Sequence, residues 1–572
     1  MISASPFKCY NQDMLGNILG ENPRPDMKRK GTIVLNGLWE YGVNNGKGEE
    51  FTTEILVPFP PESDLSGIKR TLMPDETAYY RKNIPLEKEE GFRYIITFLA
   101  VDYYATLFIN GREVLKHEGG YLPFSYDITD HLRENGFEVK LYVKDPTDTE
   151  AIERGKQTLN PHRIWYPAQS GIWQSVYMEK VPEDYIEKIL VTPDYDDSSF
   201  TILPVSSRRE GGKASIIIEG REFEMNMDAM NIIRIDDPHP WTPEDPYIYH
   251  FTIKYGRDEV ESYTALRKFS IVVDDKGMKR LALNNSPYFH HGILDQGYMK
   301  HSLMTYESDE AIIKDLKMLK SMGFNTIRKH IKIESPRWYY HATRLGFIVW
   351  QDMVNGGAAY NDFAVTLPLF TSSFLSDRKS HLLSRRSEEE KMKYISFIKE
   401  SIMYLYSVPA IGMWCIFNEG WGQFNSSEIL KEIKQIDDTR TIDITSGWHD
   451  QGDGDFLSKH VYFRPYRFKK DKRGRCVILS EFGGIGMGEE KESKARKFTY
   501  KDVSSEEALL NEIRKMYERD VIPYIEKGLS ASIYTQLSDV EQETNGLVTY
   551  DRKKIKVSVQ GMRELSSRIV TH

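Results

Sequence analysis

The sequence predicts a multidomain chain that is mainly β in its first half and α/β in its second: a jelly roll over residues 1–182, an immunoglobulin-like β-sandwich over 183–273 and a (β/α)8 TIM barrel over 274–572. Three observations carry that expectation. Up to about residue 180 short alternating strands and turns follow one another without a convincing helix. A second all-β stretch follows, of the length of one sandwich. Beyond Asp274 apolar strand-like runs alternate with helical ones, and two of those runs end in a glutamate.

In the first block, Arg93 to Leu99 and Ala105 to Ile109 read as strands, and Asn110-Gly111 is a strong hairpin signal because both residues tolerate a positive φ. Glu138 to Lys144 alternates cleanly, and Trp173 to Glu179 follows a Ser170-Gly171 turn. In the second block Ile216 to Ile218, Asn231 to Ile235 and Tyr249 to Ile253 are strands. In the third, Ser308 is an N-cap for a helix from Asp309 to Met322 with Ile312, Leu316 and Leu319 on one face and Gly323 as its stop. Strands are expected at Tyr288 to Ile293, Phe324 to Arg328, Phe347 to Gln351, Ile411 to Phe417, Thr441 to Thr445, Lys459 to Tyr462, Val477 to Glu481 and Ala531 to Thr535. Phe463 to Arg475 is too short and basic for a full helix, so that unit is expected to be degenerate. The long stretch from Asn355 to Arg386 is of the kind that walls a site.

The chain of 572 residues carries a formal charge of -9 with both signs interspersed, and no lysine-arginine stripe suits nucleic acid. The basic cluster Lys469 to Arg475 is isolated and reads as a solvated loop. No apolar run approaches the ~18 residues of a membrane span. Cys9, Cys415 and Cys476 cannot build a disulfide framework and read as buried thiols. With neither a basic nor an apolar leader at the start, the cytoplasm is the expected compartment.

The chemistry concentrates in two motifs. Phe417-Asn418-Glu419-Gly420-Trp421-Gly422 ends one apolar run, and Ser480-Glu481-Phe482-Gly483-Gly484 ends another. Strand C-termini are where α/β folds keep their reactive groups, and two strand-end carboxylates are what glycoside hydrolysis needs. The plainer alternative is that each glutamate is a buried ion-pair partner, with Arg328 or Arg337 as mate. No metalloprotease, nucleophile-elbow or complete phosphate-loop motif is found, Gly42 to Gly48 ending in Gly-Lys-Gly. Neither cofactor nor metal is required by two carboxylates of this kind.

Several motifs in order resemble glycoside hydrolase family 2, the β-galactosidase, β-glucuronidase and β-mannosidase group. In the first domain they are Tyr79 to Lys82, Val101 to Thr106, Gly119 to Phe124 and Ser170 to Gln174; in the barrel, Gly292 to Gly297, Asn325 to His330, Val349 to Asp352 and the two glutamate motifs. The resemblance implies a sugar-binding role for the jelly roll and a retaining mechanism with Glu419 as acid/base and Glu481 as nucleophile. It implies further that Asn418 bonds the sugar 2-hydroxyl, that Arg328 orients the nucleophile, that Tyr462 hydrogen-bonds it, and that His460 faces the sugar. His330, Asp352 and Asp295 stand at strand ends expected near the glycone, and Trp448 is either a stacking platform or rim packing. Each has a structural alternative: Arg328 paired with Glu334, His330 and His460 as core histidines, Asp352 as a loop cap.

On substrate, the resemblance favours exo action on a terminal neutral β-hexoside, β-galactoside first. The lysine of the glucuronidases' Asn-x-Lys motif is missing, since Glu543-Thr544-Asn545 stands there, and an added acid repels a uronate. The first-domain aspartate of the large β-galactosidases is also missing from Arg163 to Gln169. A β-glucuronidase, a β-mannosidase and a carbohydrate-binding protein without turnover are the alternatives. The expected partner is a carbohydrate, with neither nucleic acid nor membrane, and a homo-oligomer is compatible with such a jelly roll.

Overall fold

A computed structural model describes residues 21–44, 46, 48–361, 364, 365, 367–369, 371, 374–487 and 499–570. Cys9 lies outside the described residues. The first β-block is two antiparallel sheets face to face. One has six strands, in the order Thr53–Val57, Gly37–Asn44, Thr77–Ile84, Phe137–Lys144, Tyr104–Ile109 and Arg112–Glu118; the other has four, Thr32–Val34, Val176–Pro182, Phe92–Phe98 and Phe124–Asp127. Alternate residues of both faces, among them Trp39, Tyr80, Ile96, Leu107, Leu141 and Met178, make the core between them. The predicted hairpin turn is there: Asn110 and Gly111 have φ of 51° and 82°, the doubly positive pair of a type I′ turn.

The second β-block packs a three-stranded sheet (Ile186–Asp194, Ser199–Ser206, Asn231–Arg234) on a four-stranded one (Arg221–Asn226, Lys213–Ile218, Tyr249–Tyr255, Asp258–Thr264). Phe200, Ile202, Ile216, Phe251 and Val260 fill the space between. A hairpin of Phe269–Val273 and Lys279–Leu283 follows. Its Phe269, Leu281 and Leu283 pack on barrel residues Leu294, Trp350, Met413 and Ile533. Phe269 lies against Gly412, at the start of a barrel strand, so the hairpin plugs the N-terminal end and leaves chemistry to the other rim.

Eight parallel strands form the barrel: His290–Asp295, Thr326–Lys329, Ile348–Asp352, Ile411–Asn418, Thr441–Ser446, Phe456–Val461, Cys476–Gly483 and Leu529–Thr535. They are laid out in the order fifth, fourth, third, second, first, eighth, seventh, sixth. The fifth and sixth, at the two ends of that order, are joined through side chains: Ser458 Oγ donates to Asp443 (2.7 Å), and the Ile442 N–H donates to Asp455 (2.8 Å). The helix Asp309–Ser321 starts at Ser308, whose hydroxyl accepts from the Ala311 N–H, and buries Ile312, Leu316 and Leu319 as its periodicity predicts. Residues 462–475 form no helix, as their composition predicts, and neither do 447–455. Cys415 and Cys476 are buried free thiols. Among the described residues no helix is long and apolar enough to cross a membrane.

Candidate active site

The fourth strand, Ile411–Asn418, is buried along its whole length, and at its end the chain turns sharply. Glu419 takes a left-handed conformation (φ 52°), uncommon for a residue with a Cβ, and its N–H donates to Ser446 O at 3.0 Å on the fifth strand. The turn sets the carboxyl at the rim instead of continuing the strand. Gly420 must be glycine here: a Cβ would stand 2.4 Å from the His449 ring. The backbone of Asn418 is fixed by Asn355 Oδ1, which accepts its N–H (3.0 Å).

Glu481 lies inside the seventh strand, Cys476–Gly483, and faces the barrel interior. One oxygen, Oε2, accepts from the Tyr462 hydroxyl. The other, Oε1, is buried, has no hydrogen-bond partner among the described residues and sits 3.1 Å from Arg328 Nη1. One donor atom each from Glu419, Glu481 and His460 lie within 4.8 Å of one another. Two strands on opposite sides of the barrel therefore deliver their carboxylates to one point.

Arg328 is the hub. Its Nε donates to both oxygens of Asp352 (2.9 and 3.1 Å), Nη1 to Ser480 O and His460 Nε2 (3.1 Å each) and Nη2 to Asn418 Oδ1 (2.9 Å). A guanidinium can only donate, so His460 Nε2 accepts and the imidazole carries its proton on Nδ1, which donates to Glu419 Oε1 at 2.8 Å. His330 Nδ1 bonds the remaining side of Asp352 (2.8 Å).

Burial dominates the electrostatics. It raises the Glu419 carboxyl above the usual range, the Glu481 charge adds to the rise, and the His460 bond opposes it. Burial likewise pushes His460 down to about 4, which keeps its ring neutral. Asp352 goes the other way: burial works against its charge, but Arg328 and His330 hold it below the ordinary carboxylate range. Burial beside Glu481 raises the Tyr462 phenol, so it stays a donor.

Of the residues singled out in the sequence, Glu419, Glu481, Asn418, Arg328, His330, Asp352, His460 and Tyr462 come together. Trp448 is adjacent, its ring edge-on to His460 at 6.4 Å. His460 spends both nitrogens on Glu419 and Arg328, and Asp352 spends both oxygens on Arg328 and His330, so both hold the machinery in place. Arg328 does not pair with Glu334, which instead bonds Lys329 and Lys332 (2.8 and 2.7 Å). Arg337 pairs with Glu21 and Asp309, away from both glutamates. Asp295 lies outside the cluster, bonded to Lys329 behind the barrel wall.

Sequence reasoning missed Asn355, Ser446 and Ser480, whose polar atoms brace this network. It also missed the aromatic wall of Trp165, Tyr360 and Trp421, whose rings lie 5.3–5.6 Å apart. Adjacency to Glu419 was a usable signal for Trp421; nothing local marks the others. Glu419, His460 and Glu481 meet the distance condition for a shared metal ion. The donor set fits poorly, because both His460 nitrogens are engaged and Arg328 already supplies the positive charge at Glu481.

Neighbouring carboxylates on a barrel rim, behind two β-sandwiches, define the arrangement of a glycoside hydrolase. The family profile described as "Glycosyl hydrolases family 2, sugar binding domain" matches residues 25–182, and "Glycosyl hydrolases family 2, TIM barrel domain" matches 276–473. The chain belongs to glycoside hydrolase family 2. It is 24% identical over 521 residues to the β-galactosidase of Kluyveromyces lactis, covering 79% of this chain and 48% of that protein. The first curated relatives are all much longer, this chain spanning 35–48% of the length of the first five. Among solved structures, an uncultured Clostridium sp. β-glucuronidase superposes with a TM-score of 0.73 at 18% identity, covering 95% of this chain and 99% of that one. A galacturonate-bound family 2 β-galacturonidase from Eisenbergiella tayi gives 0.71 at 17% identity, covering 96% and 99%. At such identities these structures share the fold.

Proposed function

We propose that this chain is a retaining, exo-acting β-glycosidase that releases terminal β-hexosides by double displacement. The observation that carries the reading is the division of labour between two carboxylates with an oxygen of each within 4.8 Å of the other: burial raises the Glu419 carboxyl above the usual range, and Glu481 has one oxygen without a hydrogen bond among the described residues beside Arg328. That spacing suits the ~5–5.5 Å of retaining enzymes better than the ~6.5–9.5 Å of inverting ones.

In the first step Glu481 Oε1 attacks the anomeric carbon, the glycosidic C–O bond breaks, and Glu419 gives its proton to the leaving oxygen. In the second, Glu419 takes a proton from water, whose oxygen attacks the same carbon and releases Glu481 from its glycosyl ester. Arg328 and Tyr462 orient Glu481, and Asn418, its Oδ1 held by Arg328, presents its amide N–H groups to the 2-hydroxyl. A β-galactoside is the first glycone to test, in line with the name of the Kluyveromyces lactis relative.

The test is hydrolysis of nitrophenyl glycosides by two variants. Glu481→Gln is expected to lose roughly 10⁴-fold in kcat while still binding sugar. Glu419→Gln is expected to lose ~10²–10⁴-fold on alkyl glycosides, which need a proton on the leaving oxygen, and far less on nitrophenyl ones. Unchanged hydrolysis by Glu481→Gln would refute the assignment. Sugar binding by a wild type that turns over no glycoside would make it a carbohydrate-binding protein instead.

A further inference from the structure

The first sandwich reaches the barrel site through residues 152–166. The Gly357 N–H donates to Ile152 O (2.9 Å), and the Tyr166 ring meets Tyr298 edge-on at 4.8 Å. Two cations ride on this segment. Arg154 and Lys156 are each 6% exposed, yet among the described residues neither has a carboxylate partner or a side-chain hydrogen bond. Arg154 Nε is buried with no acceptor, and its guanidinium lies 5.0 Å from the centre of the Tyr360 ring. Lys156 Nζ lies 5.4 Å from the Tyr166 ring and 6.0 Å from that of Trp421, which is itself 6.2 Å from His330.

Buried cations are normally paired, because taking an ion out of water is costly unless an anion or well-placed acceptors meet it. The aromatic faces around Arg154 and Lys156 compensate part of that cost and give both side chains low-dielectric surroundings. They supply no negative charge. The nearby acid Glu543 is engaged elsewhere, by the Tyr166 hydroxyl and by Asn545 Nδ2 (3.3 Å), and forms no ion pair with Lys156. The cation at the centre of the site has its anions: Arg328 has Asp352 and Glu481.

We propose that Arg154 and Lys156 form an anion-accepting point of the site, and that the preferred substrate carries an acidic substituent, a carboxylate or a sulfate ester, on the sugar bound against His330 and Glu419. A neutral hexose offers hydroxyls to these donors but leaves two charges uncompensated; an acidic substituent satisfies and neutralises them together. The Lys156 charge lowers the proton affinity of Glu419 and His330, in keeping with its place across the Trp421 ring from His330. This cation pair comes from the first sandwich, and not from the barrel segment Glu543-Thr544-Asn545. The inference rests on the glycosidase reading and deepens it.

The experiment compares kcat/KM for nitrophenyl β-galactopyranoside, its 6-O-sulfate, the β-galacturonide and the β-glucuronide. An acidic member is expected to exceed the neutral parent by about 10-fold or more at low salt, and to lose that advantage as ionic strength rises. Arg154→Met and Lys156→Met are expected to cut the acidic-to-neutral ratio by about 100-fold, while Lys156→Arg retains most of it. The sulfate and uronide arms tell the two sources of charge apart. Preference for the neutral parent, or a ratio that neither variant moves, overturns the inference and leaves the glycosidase reading standing; hydrolysis of none of the four glycosides defeats that reading itself. Should the variants not fold, inhibition of the wild type decides: galacturonate must compete better than galactose, and the reverse order overturns the proposal.

Discussion

His460 stands between Glu419 and Arg328 with its proton fixed on one side: Nδ1 donates to Glu419 Oε1 at 2.8 Å, and Nε2 accepts from Arg328 Nη1 at 3.1 Å. The ring links the guanidinium beside Glu481 to the carboxyl that the proposed mechanism uses as its proton donor. It does so as a neutral spacer, since burial pushes it down to about 4.

A hydrogen bond donated to a carboxyl group favours its ionised form, so removing the donor raises the proton affinity. His460→Ala is therefore expected to move the basic limb of the kcat/KM pH profile upward, by ~1 unit. The profile of a nitrophenyl glycoside measures this directly; a limb that stays put or moves down would contradict the bridging role.

Arg328→Met leaves Asp352 and Glu481 as buried carboxylates without a cation. Breaking a buried pair in this way costs ~3–5 kcal/mol, which denaturant unfolding would register. With the guanidinium that lies 3.1 Å from Glu481 Oε1 and bonds Asn418 and His460 gone, kcat on a nitrophenyl glycoside should also fall, by ~10²-fold, through lost orientation. A stability loss with an unchanged kcat would make Arg328 purely structural.

Asp443 closes the gap between the fifth and sixth strands through Ser458, and burial raises its carboxyl from the usual 3.8 to about 6. Because the folded state holds the proton more tightly, this group's contribution to stability is complete below 3.8 and is lost as pH rises through about 6. Asp443→Asn cannot ionise, so its Tm should gain on the wild type between pH 4 and pH 8, by the equivalent of ~2–3 kcal/mol. An offset in Tm that is the same at both pH values would show that Asp443 does not titrate in the folded chain.

Much of this was legible locally. Glu419 and Glu481 stand out because a strand buried on both faces must be apolar, so a carboxylate ending such a run is conspicuous in the chain itself. The Asn110-Gly111 turn and the Ser308 cap are equally local, each depending on the φ or the hydroxyl of one or two residues. Asp295 was not legible. Parallel register sets it opposite Lys329 and sets Leu294 opposite Arg328, so the strand alternation turns Arg328 into the barrel and Lys329 with Asp295 out of it.

By itself, the sequence determined the succession of β-blocks and barrel and the place of both glutamates at or near the ends of apolar strands, because these follow from periodicity and short-range backbone chemistry; Arg328 beside Glu481 came from the resemblance to the family. Only the tertiary structure decided that His460 holds Glu419, that Asp295 belongs to a separate ion network, and that Arg154 and Lys156 from the first sandwich meet the barrel's site. Those relations join residues far apart in the chain through register and domain docking, and local preference carries no record of which distant side chain will fill the opposite half of a contact.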